Sequence, residues 1–262
     1  MEMNTNNLFA FHGMDHKAGV TMIAQSIAEI IAQHNKDLKI LFISLSGRKN
    51  NEYFKGALKN IDDFKLQLDS KLIVEKDFMR DCRYKDNLYV LSGIANEQEE
   101  RYYFPEHVKY LIHSIENGFD VIIADTGSSL DNGLAFGALC IADKKFLVMG
   151  QQESHISRYE EKINLFQHVD IHFEKILINH YQEDDPYSIS YISQRIEADR
   201  EKLFKIQASP YFRQAEMEHR TLIEFKSEKY CDDIVSLSNQ ILDCLGIQMI
   251  KVQRRAKWKS FI

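Results

Sequence analysis

Residues 8–31 read LFAFHGMDHKAGVTMIAQSIAEII. The first five are an almost unbroken apolar run, the pattern of a strand covered on both faces. GMDHKAG then interrupts the apolar pattern with two glycines. From residue 20 the spacing changes to that of a helix: Ile23, Ile27, Ile30 and Ile31 share one face over residues 20–34. A strand, a glycine-bearing loop and an amphipathic helix in this order form the first half of a parallel crossover unit.

The same alternation recurs along the chain. Apolar runs fall at residues 38–44, 87–91, 120–125, 145–149, 175–179 and 203–206, several of them nearly continuous, as in KILFIS, DVIIAD and EKILIN. Residues 105–117 carry Val108, Leu111, Ile112 and Ile115 on one helical face, with Gly118 placed to cap the end. Two short helices are expected between residues 47 and 86, and two more over 211–217 and 229–245. The order predicts an α/β domain in three layers: a mostly parallel, twisted sheet of about seven strands with helices on both faces. Residues 1–246 are expected to form that domain and residues 247–262 a basic C-terminal tail.

In such a sheet ligands bind at the carboxyl ends of the strands. The loop between the first strand and first helix is therefore the primary candidate site. Backbone N–H groups at the start of a helix attract phosphate, and a hydroxyl there can reach Mg2+. In the usual phosphate loop a lysine immediately precedes that Ser/Thr; here Val20 precedes Thr21. Thr21 also suits a plain first-turn residue, Asp125 a loop cap, and Asn179 an ordinary loop position.

The stretch resembles the deviant phosphate loop of the MinD/ParA family, K-G-G-x-G-K-T-T followed by an apolar helix. With Thr21 on the first threonine, Val20 falls on the loop lysine, Gly19 on the preceding glycine, His16 and Lys17 on the early glycines, and Asp15 on the signature lysine. Residues 39–46, KILFISLS, resemble the family's second strand, with Ser44 and Ser46 in place of its two aspartates. Residues 119–127, FDVIIADTG, resemble the strand carrying the Mg2+-side aspartate, here Asp125. Residues 176–180, ILINH, resemble the strand whose terminal asparagine contacts adenine, here Asn179.

The resemblance spans roughly residues 8–245 and implies a P-loop NTPase-like fold. It places ATP on Gly13, Lys17, Gly19, Val20, Thr21, Met22 and Asn179, and Mg2+ on Thr21 and Asp125. Both motif lysines and the water-positioning carboxylate are missing, which implies weak hydrolysis or none. The look is closest to the TadZ/CpaE pilus-assembly group, implying a homodimeric positioning factor with a protein partner in a membrane-associated machine. The alternative is an active partitioning-type ATPase with a remodelled loop using Lys17.

Composition bounds these readings. A net charge of −6 over 262 residues does not suit a general nucleic-acid binder. Lys251, Arg254, Arg255, Lys257 and Lys259 concentrate positive charge in the tail, and Ile250, Trp258, Phe261 and Ile262 fall roughly along one side of it if helical. That composition suits contact with a membrane surface, as the resemblance to MinD also implies; a solubilising tail or a helix docking on an acidic partner fits as well. MEMNTNNLFAF at the start has neither a basic region nor a long apolar core, so no secretory signal is expected. No run is long and apolar enough to span a bilayer. The four cysteines form no C-x-x-C pair, and reduced thiols in the cytoplasm, or at the inner face of the cell membrane, are expected. His168 and His172 are four apart in a helix-to-strand link and imply no metal site.

Overall fold

The computed structural model describes residues 7–49 and 53–251. Its strands are β1 (Leu8–Gly13), β2 (Ile40–Ser44), β3 (Arg83–Lys85), β4 (Leu88–Leu91), β5 (Val121–Asp125), β6 (Lys144–Gly150), β7 (Lys175–Tyr181) and β8 (Leu203–Gln207). They form one sheet in the order β3-β4-β2-β5-β1-β6-β7-β8. Every neighbouring pair is parallel except β3 with β4. The expected seven strands are thus joined by an eighth, β3. It is a three-residue edge strand with the sequence Arg-Tyr-Lys, its two cations exposed. It carries no apolar run because an edge strand need not be covered on both faces, and charge there discourages further pairing.

The helices are α1 (Val20–His34), α2 (Lys65–Ser70), α3 (Glu75–Cys82), α4 (Pro105–Ile115), α5 (Gly133–Ile141), α6 (Glu153–His168), α7 (Ile189–Arg195), α8 (Phe212–Glu218) and α9 (Glu228–Cys244). Strand alternation divides the core in two. Leu8, Ala10, Leu41, Ile43, Ile122 and Ala124 face the side holding α4, α5 and α6. Phe9, Phe11, Ile40, Phe42, Val121 and Ile123 face α1 and α9. Burial on both faces is what makes these strands read as continuous apolar runs.

Gly118 does not cap α4. Glu116 occupies that position, and residues 116–118 add a tighter helical turn before β5. Past α9 the chain reverses at Gly246, φ +66°. It then returns along that helix: Asn239 Nδ2 donates to the carbonyl of Ile250 at 3.1 Å, and Ile250 N–H donates to Asn239 Oδ1 at 2.7 Å. The cationic and aromatic tail positions beyond Lys251 lie outside the described residues.

β1 lies in the middle of the sheet, between β5 and β6. Phe11 is in register with Asp125, and Ser44 of β2 is in register with Asp125 from the other side. The carboxyl ends of β1, β2 and β5 therefore converge on one point, with the loop of residues 14–19 arching over it.

Candidate functional site

The loop is pinned at both ends. Gly13 N–H donates to the carbonyl of Gly127 at 2.6 Å and Met14 N–H to that of Val148 at 2.7 Å. At the far end Gly19 is the N-cap of α1 in the left-handed region, φ +92°. A β-carbon on Gly19 would collide with the Asn179 amide, so a larger residue there would strain the backbone and displace Asn179. Lys17, exposed, is also left-handed at φ +61°.

Gly19, the N-cap of α1, has no side chain to cap it, and no acidic residue lies in its first turn. The first N–H groups of a helix have no partner within it. Here they present the positive end of a 15-residue helix to the carboxyl edge of the sheet. Val20 and Met22 are 7% and 3% exposed. Val20 packs a methyl against Gly13, and the Met22 sulfur accepts the N–H of Leu222 at 3.3 Å, so neither side chain brings charge to the loop.

Thr21 is the side chain of the first turn that engages the sheet. Its hydroxyl donates to Asp125 Oδ2 at 2.5 Å, while Asp125 Oδ1 accepts the N–H of Gly127 at 2.9 Å. Asp125 is 2% exposed. Burial raises its pKa, and the Thr21 and Gly127 hydrogen bonds oppose the shift only in part. A buried carboxylate and an adjacent hydroxyl are hard oxygen donors of the kind Mg2+ takes. A cation would also offset the cost of burying that charge. These residues fit the metal that the resemblance implies.

Asn179, 3% exposed, donates from Nδ2 to the carbonyl of Ala18 at 2.8 Å and so holds the loop from below. Its neighbour His180 packs edge-on against Phe212, ring centroids 4.6 Å apart. Burial lowers the pKa of His180. Ser44 is buried, and Ser46 packs against Gly127. The end of β2 thus brings hydroxyls, and no carboxylate, to the edge beside Asp125.

The structure gathers Gly13, Lys17, Gly19, Val20, Thr21, Met22, Asp125 and Asn179 around one loop. It adds groups that the sequence reading did not single out. Arg158 Nε lies 3.0 Å from Asp15 Oδ2, and Lys162 Nζ donates to the carbonyl of Met14 at 3.4 Å, both from α6. Ile156, Tyr159, Ile163 and Phe166 in α6 are spaced as one helical face and pack into the core; that spacing would have revealed the helix. His12, under the loop, is held neutral with its pKa lowered to about 3, first by burial and then by the nearby Lys162 charge. Thr126 donates its hydroxyl to the carbonyl of Phe11 at 2.9 Å. It must therefore accept from His12 Nδ1 at 3.0 Å, which fixes the Nδ1–H tautomer. Histidines 168 and 172 stay apart from this site: α6 ends at His168, and His172 Nε2 is 2.8 Å from Asp170.

No protein-family model matches the chain, and no curated protein matches it in sequence. Solved structures do match. A ParA family ATPase from Chlorobium tepidum superposes with a TM-score of 0.77 at 16% identity, over 89% of this chain and 98% of that one. The septum site-determining protein MinD of Pyrococcus horikoshii, complexed with Mg-ADP, gives 0.69 at 16% identity, over 94% and 99%. A chain of the MinC:MinD cell division protein complex of Aquifex aeolicus gives 0.66 at 16% identity, over 95% and 99%. The chain has the three-layer P-loop fold of the ParA and MinD ATPases.

Proposed function

We propose that this protein is a nucleotide-responsive positioning or assembly factor of the MinD/ParA type. It binds ATP with Mg2+ at the β1–α1 loop and hydrolyses it slowly or not at all. One observation carries the reading: the Thr21 hydroxyl lies on the buried Asp125 carboxylate, directly beside the uncapped start of α1. Together they offer an anion site and a cation site side by side, as a magnesium-chelated phosphate requires. The Mg-ADP held by MinD of Pyrococcus horikoshii supports the same ligand class.

The phosphates rest on the backbone from Gly13 to Met22, with Lys17 at the exposed rim. Thr21 and Asp125 hold Mg2+, which when bound would neutralise phosphate charge. Asn179 spends one N–H on Ala18 and keeps its Oδ1 for the amino group of adenine. Hydrolysis is weak because Val20 brings no charge to the loop and Ser44 and Ser46 bring no base to orient water. A protein of this kind acts by being bound, as a homodimer closing over the loop face and recruiting a protein partner in a membrane-associated machine. The MinC:MinD complex of Aquifex aeolicus supports a protein partner, and the altered loop favours a pilus-assembly role of the TadZ/CpaE kind. The basic tail would hold the protein at the inner face of the membrane.

The test is calorimetric titration of nucleotide-stripped protein with Mg-ATP, alongside a phosphate-release assay. Micromolar binding without turnover is expected, lost in Thr21→Ala and Asp125→Ala. Val20→Lys should tighten it. No binding by the wild-type protein at millimolar Mg-ATP would refute the reading.

A further inference from the structure

Val20 brings no charge to the loop, but α6 brings two cations to its Met14–Asp15 end. His155, Arg158 and Lys162 follow one another at three- and four-residue spacing on α6, which puts them on the same side of that helix. All three bear on the loop or its setting. His155 accepts the N–H of Gly150, and burial lowers its pKa. Arg158 pairs with Asp15, and Lys162 holds the carbonyl of Met14. Asp15 in turn uses its other oxygen, Oδ1, to accept the loop N–H of His16 at 2.7 Å. The Asp15 carboxylate therefore sits where a loop amide and a guanidinium converge, the donor set that recognises a phosphate oxygen. Arg158 is about half exposed and Asp15 about a quarter, so the pair is open to exchange with a dissolved anion.

We propose that Arg158 is the cation that receives a phosphate group of the ligand on this loop, and that Asp15 is a built-in anion which this phosphate must displace. The inference rests on the nucleotide-binding reading above. It adds a cation from α6 to the backbone N–H groups at the start of α1, with Lys162 as a positioning residue that holds the loop's entry through Met14. Because the exchange is one anion for another, Asp15 lowers affinity for every phosphate-bearing ligand while leaving the base contacts untouched.

The test is titration of the full chain with Mg-ATP, Mg-ADP, pyrophosphate and adenosine, using wild type, Asp15→Asn, Arg158→Gln and Arg158→Lys, with circular dichroism to verify folding. Loss of a charge-assisted hydrogen bond should weaken ATP binding by roughly tenfold or more in Arg158→Gln, with partial recovery in Arg158→Lys. Removal of an exposed competing ion pair should tighten it by roughly threefold in Asp15→Asn. Adenosine binding should not move in any variant. A gain with pyrophosphate as large as with ATP would mark the site as one for polyphosphate itself; a gain with ATP alone would tie it to the nucleotide, and either result supports the exchange. Wild-type binding of ATP with unchanged affinity in both Asp15→Asn and Arg158→Gln overturns this inference alone. Silence of wild type and Asp15→Asn toward every phosphate ligand overturns the nucleotide-binding reading and this inference with it.

Discussion

Asp125→Asn should make the ligand-free protein more stable while abolishing Mg2+-dependent nucleotide binding. Asp125 is an ionisable group sealed beneath the loop, with a hydroxyl and an amide N–H as its hydrogen-bond partners among the described residues. Asparagine is nearly isosteric. Its Oδ1 can accept the Gly127 N–H, and its Nδ2 can donate to a rotated Thr21 hydroxyl, so both contacts survive while the buried charge disappears. Removing a functional group held against its own stability commonly recovers about 1–2 kcal/mol, or roughly 2–6 °C in midpoint for a domain of this size.

The pH dependence gives the sign. The folded-state pKa of Asp125 is raised above the ordinary 3.8, so the folded protein binds the proton more tightly than the unfolded chain. Stability contributed by that proton is full below the unfolded value and is lost as pH rises through the folded one. The advantage of Asp125→Asn should therefore be absent at low pH, grow across that window and level off above it. Urea unfolding of both proteins at a series of pH values, with a chelator present, measures this difference directly. A variant less stable than wild type at pH 8 would refute the reasoning, since it would mean that the ionised carboxylate stabilises the empty fold.

Gly19→Ala should destabilise by about 1–3 kcal/mol, from left-handed strain and the collision with Asn179; adding Asn179→Ala should recover part of the loss, read as coupling in a double-mutant cycle. Glu29, half-buried on α1 with Thr221 and Gln25 as partners, has its pKa raised above 4.5, chiefly by loss of water around it. Stability should fall as pH rises through that window, and Glu29→Gln should flatten the slope and add on the order of 1 kcal/mol above it, as urea midpoints would record. His12, with its pKa near 3 against an ordinary 6.5, should show no imidazole titration by NMR between pH 5 and 8. Its stabilising contribution is complete above the unfolded value and is lost as pH falls toward the folded one, up to about 5 kcal/mol in all.

The sequence by itself determined the sheet. Six of the seven parallel strands were legible because burial on two faces leaves an apolar run; the edge strand β8 is only partly covered, and Leu203, Phe204 and Ile206 marked it. Helices α1, α4 and α9 were legible because one covered face imposes helical spacing. The sequence also carried the resemblance that brought Thr21, Asp125 and Asn179 forward as candidates. It gave no sign of β3, whose edge position makes no demand for apolar side chains. Nor did α5 stand out: GLAFGALCI is apolar nearly all round and so has no periodic face to read. What Asp15, Arg158 and Asn179 do was decided by tertiary structure alone. Asp15 and Arg158 are 143 residues apart and meet only because β6 lies beside β1 and carries α6 to the loop. Asn179 reaches Ala18 across 161 residues of chain. A residue's type records whether it is buried; which charge it faces depends on the packing of elements distant in sequence, and no local pattern encodes that.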